Sequence, residues 1–241
     1  MGDAQVIQFA SDDLLAAAVA ESWLAAIVQS QAEGRKHLVA LSGGRVTKKF
    51  FAATVEQSRR RKVSFESVEF FWADERCVPP DDPESNYRMA DELLFKPAKI
   101  AAASVHRIEG ERPPDMAAEL AAAELRRVTG QRVREMPVLD LILLGMGEDG
   151  HVASLFPSDE RTARDYESVF LSVENSPKPP PCRVTLGHGA IAAAREVWVL
   201  ASGNAKQAAL RESISRDGHT PLARVIQGRA VTKIVSDISL A

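Results

Sequence analysis

The feature that most constrains this chain is a pattern that recurs along it. A short run, apolar at nearly every position, ends in a polar turn and is followed by a segment with helical spacing. HLVALSGG at 37–44 precedes TKKFFAATVEQSRRR, and REVWVLASGNAKQAALRES at 195–213 contains the whole unit. VEFFW at 68–72 runs into the polar ADERCVPPDDPESN before the helix-like YRMADELLF, and VLDLILLGMGEDGH at 138–151 is the most apolar strand of all. Strands that are apolar on both faces and alternate with helices predict an α/β chain: a Rossmann-like, mainly parallel sheet with helices on both faces. In such sheets, ligands bind beyond the carboxyl ends of the strands, where the chain order reverses. The polar turns all fall there.

Other segments complete the outline. The stretch 12–31 has Leu15, Val19, Trp23 and Ile27 at helical spacing behind the capping candidates Ser11 and Asp12. The stretch 109–130 reads as a surface helix entered through Pro113-Pro114, and ENSPKPPPCRVTL at 174–186 as a proline-rich connection into a short strand. No repeat, linker or composition break divides residues 1–241, so a single domain is expected.

A formal charge of −3 over 241 residues implies no basic face for nucleic acid. No apolar run approaching a membrane span is apparent in the sequence, and MGDAQVIQFASDD has neither the cationic nor the apolar part of a signal peptide. The two cysteines, Cys77 and Cys182, are far apart in sequence and form no C-x-x-C pair, which suits reduced thiols in a cytoplasm. Neither membrane nor nucleic acid is expected as a partner.

Four turns carry residues capable of chemistry. Ser42-Gly43-Gly44 lies between a strand and a helix, where backbone N–H groups and the helix dipole favour an anion, with Arg45 and Lys48 adding charge. Asp74, Glu75 and Arg76 leave the end of a buried strand, where Arg76 can hold a carboxylate or phosphate and either acid can orient it or a nearby base. Gly145-Met146-Gly147-Glu148-Asp149-Gly150-His151 is neither a P-loop nor a G-x-G-x-x-G fingerprint, and no second His or Cys lies within four residues of His151 to make a metal site. A histidine on a strand-end turn beside two acids is equipped as a general base. Asp149 either orients the ring or holds its own turn. Finally, Arg183 begins an apolar run, and Lys206 lies in the first turn of a helix-like segment.

LSGG, FFWADERCVPPDDPESNY, LDLILLGMGEDGHVASLFP and RVTL with REVWVLASGNAKQAAL, taken in this order, resemble the 6-phosphogluconolactonase family, within the wider group of glucosamine-6-phosphate isomerase-like folds. The resemblance covers about Leu38 to Leu210. It implies hydrolysis of 6-phospho-D-glucono-1,5-lactone to 6-phosphogluconate in the oxidative pentose phosphate pathway, without metal or organic cofactor, by a monomer or small homo-oligomer. By the same matching, His151 is the catalytic histidine, while Ser42, Gly43, Gly44, Arg76, Arg183 and Lys206 bind the phosphorylated substrate. Asp149 or Glu148 would orient the ring, and Arg76 or a backbone N–H would support the oxyanion. The chain departs from the family where Ser-Gly-Gly is usually followed by Ser-Thr-Pro. Here Arg45-Val46-Thr47 follows, so Arg45 takes the place of a hydroxyl and the threonine is displaced by one position. The related amino-sugar-phosphate isomerases and deaminases usually follow the Gly-His turn with Phe-Asn-Glu-Pro, whereas ASLFPSDE stands here. A non-catalytic sugar-phosphate-binding protein is the alternative of a different class.

Overall fold

The computed structural model describes residues 2–240. The first third of the chain alternates strand and helix: β1 (Asp3–Gln8), α1 (Asp12–Ala32), β2 (His37–Leu41), α2 (Arg45–Arg61) and β3 (Val68–Trp72). Next come β4 (Asp74–Arg76), α3 (Asn86–Ala90), a π-helical turn leading into α4 (Lys96–Ala98), and α5 (Pro114–Val128). A small hairpin, β5 (Arg132–Val133) and β6 (Met136–Pro137), leads to β7 (Leu141–Gly145), α6 (Glu160–Arg164), β8 (Phe170–Val173) and β9 (Arg183–Leu186). The chain closes with α7 (His188–Ala193), β10 (Glu196–Ala201), α8 (Gln207–Ile214), α9 (Pro221–Gln227) and β11 (Val231–Ser236).

Local chemistry starts these elements where the sequence places them. Ser11 Oγ accepts from the Leu14 N–H at the head of α1, and Asp12 and Asp13 complement the helix dipole there. Leu15, Val19, Trp23, Leu24 and Ile27 are completely buried along one side of that helix. Trp23 packs on Phe50 of α2, with ring centroids 5.4 Å apart, and meets Phe70 of β3 edge-on. By length and composition α1 would suffice to cross a membrane, contrary to the expectation that no stretch approaches a span. It is spent on the core instead.

The main sheet is parallel throughout, in the order β1-β11-β10-β7-β2-β3. From β1 to β2 to β3 the chain crosses the sheet in one direction, and from β7 to β10 to β11 in the other. Right-handed crossovers therefore put α1 and α2 on one face and α8 and α9 on the other. The order reverses between β2 and β7. That crevice receives the turns after Leu41 and after Gly145.

A second, antiparallel sheet, β4-β9-β8, was not foreseen. The expected single strand into a polar loop is split at Ala73, whose N–H donates to Leu41 O in the main sheet while its carbonyl accepts from Leu186 N–H in the small one. No Gly or Pro marks the break, because the strand changes partner rather than direction. One consequence is that Arg76 lies directly opposite Arg183. Another is that Cys77 and Cys182, far apart in sequence, are cross-strand neighbours joined by Cys77 N–H to Cys182 O at 2.9 Å; both are free thiols.

Candidate active site

The site is assembled from the ends of β2, β7, β10, β4 and β9. Ser42, Gly43, Gly44, Arg45, Arg76, His151, Arg183 and Lys206 all line one cavity there, together with Asp74 and Asn86. Asp149 stands behind His151 rather than in the wall. A larger hollow of about 850 Å³ beside Met136, Tyr166 and Gly189 lies away from these residues. The chemistry converges in the smaller one.

The loop after β7 is a closed turn: Gly147 N–H donates to His151 O at 2.9 Å, and Gly150, at φ +78°, donates to Gly147 O at 3.2 Å. A side chain on Gly147 would occupy the seat of the His151 ring. Asp149 does both things the sequence left open. Its Oδ1 accepts from the His151 backbone N–H at 3.2 Å and lies 2.5 Å from His151 Nδ1. With Nδ1 tied to the carboxylate, Nε2 is the nitrogen left for the cavity. Glu148 is exposed, and its charge bears on Lys206, not on the ring.

Burial holds the His151 imidazole below its ordinary pKa and Lys178 pushes it the same way, while Asp149 and Asp74 oppose the shift. Burial raises the Asp149 carboxyl, but the His151 charge and N–H contacts outweigh it, leaving Asp149 below its ordinary value. At neutral pH the pair is therefore a neutral imidazole on a carboxylate.

Around the other wall the charges are positive and poorly compensated. Burial lowers the Lys206 pKa, and Arg45 lowers it further. Neither Arg45 nor Lys206 is in an ion pair among the described residues. Ser42 Oγ is buried with no hydrogen-bond partner, and Arg76 Nε is likewise unpartnered. The α2 N-terminus begins at Gly44 with no side-chain cap, so its first N–H groups face the same place. Thr47 turns inward and donates to Gly43 O at 3.1 Å, holding the turn.

Arg76 and Arg183, opposite one another across strands, repel. Arg76 Nη1 is held by Glu84, donating to its carbonyl at 2.5 Å and lying 3.6 Å from its carboxylate. Arg183 reaches the cavity in a different way from Lys206. Its Nη2 donates to Lys178 O and Pro179 O at 3.0 and 3.1 Å, and its Nε donates to Pro180 O at 3.2 Å. It thus clamps the proline-rich connection over the site.

The two acids beside Arg76 have separate jobs. Glu75 is buried and accepts from the N–H groups of Arg76, Asn86 and Tyr87 and from Ser85 Oγ, closing the polar loop; burial raises its pKa. Asp74 faces the cavity and accepts from Ser154 Oγ at 2.7 Å, with its carbonyl accepting from Asn86 Nδ2 at 2.9 Å. Sequence reasoning missed Asn86, Ser154 and Lys178, which gain meaning only from what the loops bring beside them. Among the described residues, no group of three or more His, Cys, Asp or Glu is placed to hold a metal ion.

Residues 10–234 match the family described as glucosamine-6-phosphate isomerases/6-phosphogluconolactonase. The chain belongs to this family. It is 34% identical to a 6-phosphogluconolactonase of Streptomyces coelicolor over 98% of this chain and 93% of that protein. It is also 34% identical to one from Mycobacterium leprae, over 93% of this chain and 91% of that one. Among solved structures, the 6-phosphogluconolactonase of Trypanosoma brucei superposes with a TM-score of 0.86 at 28% identity, covering 98% of this chain and 97% of that one.

Proposed function

We propose that the protein hydrolyses 6-phospho-D-glucono-1,5-lactone to 6-phospho-D-gluconate, the lactone-opening step of the oxidative pentose phosphate pathway, with His151 as general base. One observation carries the reading: a neutral histidine with one nitrogen facing the cavity shares it with three cations that make no ion pair among the described residues, Arg45, Arg183 and Lys206. A phosphate answers the cations, the unpartnered Ser42 Oγ and the uncapped α2 N-terminus together. Family membership and the named relatives support the same substrate.

The reaction follows from these positions. His151 Nε2 takes a proton from water as the water oxygen bonds to the lactone carbonyl carbon. Asp149 keeps the proton on Nδ1 and stabilises the imidazolium. Arg76, through its unpartnered Nε–H, supports the oxyanion. Collapse of the tetrahedral intermediate breaks the bond from that carbon to the ring oxygen, which takes the proton back from His151. Arg45, Lys206, Ser42 and the Gly43-Gly44 turn hold the phosphate and thereby place the carbonyl. Arg183 contributes charge and holds the loop above. No cofactor enters this scheme. A cytoplasmic setting suits the adjacent free thiols, with Cys77 pushed by burial up to about 12.

The test is lactone opening measured with the spontaneous background subtracted, where a large acceleration is expected. Tight binding of 6-phosphogluconate without acceleration would identify a sugar-phosphate-binding protein instead. Ammonia release from glucosamine 6-phosphate at a comparable rate would make it a deaminase.

A further inference from the structure

Lys206 sits on a short 3-10 turn, Asn204–Lys206, that has no side-chain cap. What holds it comes from the end of the chain. The parallel register pairs Ala201 of β10 with Ser236 of β11, so the residues just past the strands, Ser202 and Asp237, fall side by side. The two Asp237 oxygens are divided between them: Oδ2 accepts from Ser202 Oγ at 2.9 Å, and Oδ1 accepts from Gly203 N–H at 3.0 Å. Gly203 has φ +99°, a conformation that favours glycine, and the Arg45 guanidinium lies over it, 3.1 Å from where a Cβ would be. Around Asp237 the tail is pinned by Gln8 Nε2 to Ile238 O at 2.9 Å, by Gln207 Nε2 to Ser239 O at 2.6 Å, and by the burial of Ile238.

We propose that Asp237 is a positioning residue for phosphate recognition: by bridging Ser202 and Gly203 it fixes the turn that presents Lys206 beside Arg45. Two neighbouring cations repel, and a flexible turn would let them separate. A carboxylate bound to the turn's backbone keeps them together, and its charge also favours the ammonium form of Lys206. Asp237 is outside the cavity wall, and its hydrogen bonds go to Ser202 and Gly203. Its effect is on binding, and it rests on the reading of Arg45 and Lys206 as the phosphate site.

The experiment compares Asp237→Asn, Lys206→Ala and the double variant, measuring KM and kcat for the lactone and the inhibition constant of inorganic phosphate as a competitive inhibitor. Asp237→Asn replaces one acceptor with a donor and removes the charge. It should raise both KM and the inhibition constant about fivefold or more and leave kcat within about twofold. In the Lys206→Ala background it should add less than about twofold, because the two residues act through one another. Asp237→Glu should recover part of the loss. An unchanged inhibition constant, or a full multiplicative effect in the Lys206→Ala background, overturns the proposal. So does a fall in kcat with unchanged phosphate binding, the mark of a merely structural role. If Asp237→Asn does not fold, Ser202→Ala, which removes one of the two donors, should raise both constants about twofold alone and leave them unchanged in the Lys206→Ala background, and failure of either outcome overturns the proposal. Should Lys206→Ala raise KM while Asp237→Asn does not, only this inference fails. Should Lys206→Ala itself leave KM and phosphate inhibition unchanged, the phosphate site falls with it.

Discussion

At the scale of the residue, the His151–Asp149 pair makes the sharpest predictions. His151→Ala should lower kcat about 10²–10⁴-fold with little change in KM, as expected for loss of a general base. The base works as neutral imidazole, so activity should fall as pH drops through the His151 pKa, which burial holds below its usual value. Asp149→Asn removes a carboxylate that favours the imidazolium, so the acid limb of the kcat/KM profile should move to lower pH while the plateau drops. An unmoved limb would mean Asp149 serves only its turn. The histidine was legible in GMGEDGH because a glycine turn after an apolar strand exposes what it carries. The double use of Asp149 Oδ1 was not, since it depends on a rotamer set by the folded turn.

At the scale of the element, turns and buried helix faces are what substitutions will break. Gly147→Ala places a methyl group in the seat of the His151 ring, so the variant should fold and lose at least about tenfold in kcat through a displaced base. His37, on β2, is buried against α1, its Nε2 accepting from Trp23 Nε1 at 3.2 Å and its Nδ1 lying 3.2 Å from Ser30 Oγ. Burial depresses its pKa to about 4 from 6.5. The folded state then binds fewer protons than the unfolded chain between those values, so this contribution is complete above pH 6.5 and is lost as pH falls toward 4. At about 1.4 kcal/mol per pH unit it amounts to about 3 kcal/mol. Buried His188, also depressed to about 4, adds in the same direction. Urea unfolding at pH 7.5 and 4.5 should show this loss, and His37→Gln should diminish it. The strands and helices read between residues 12 and 213 were legible because each carries its own period, whereas β1, β11 and α9 and the order of strands in the sheet were not read. Nor could the small β4-β9-β8 sheet be read, because a partner change at Ala73 leaves no mark in local sequence.

At the scale of the whole molecule, the cavity gathers Arg45, Arg76, Arg183 and Lys206 against one carboxylate, Asp74, and the proposed anionic ligand would relieve their repulsion. Adding 6-phosphogluconate at a hundredfold excess over its Kd should stabilise the fold by about 2.7 kcal/mol and raise Tm by about 5–10 °C. High salt should shrink the shift, and a Lys206→Ala, Arg45→Ala double variant should nearly abolish it, as followed by thermal unfolding. By itself the sequence determined the parallel α/β architecture, the strand-end position of the polar turns, the one carrying His151 among them, and the family. Those follow from hydrophobic period and turn chemistry, which act over a few residues. The tertiary structure alone decided that Arg76 faces Arg183, that Lys206 stands beside Arg45, and that Asp237 holds their turn. Such pairings depend on strand order and register, and these are set by the packing of the whole sheet, not by any one segment.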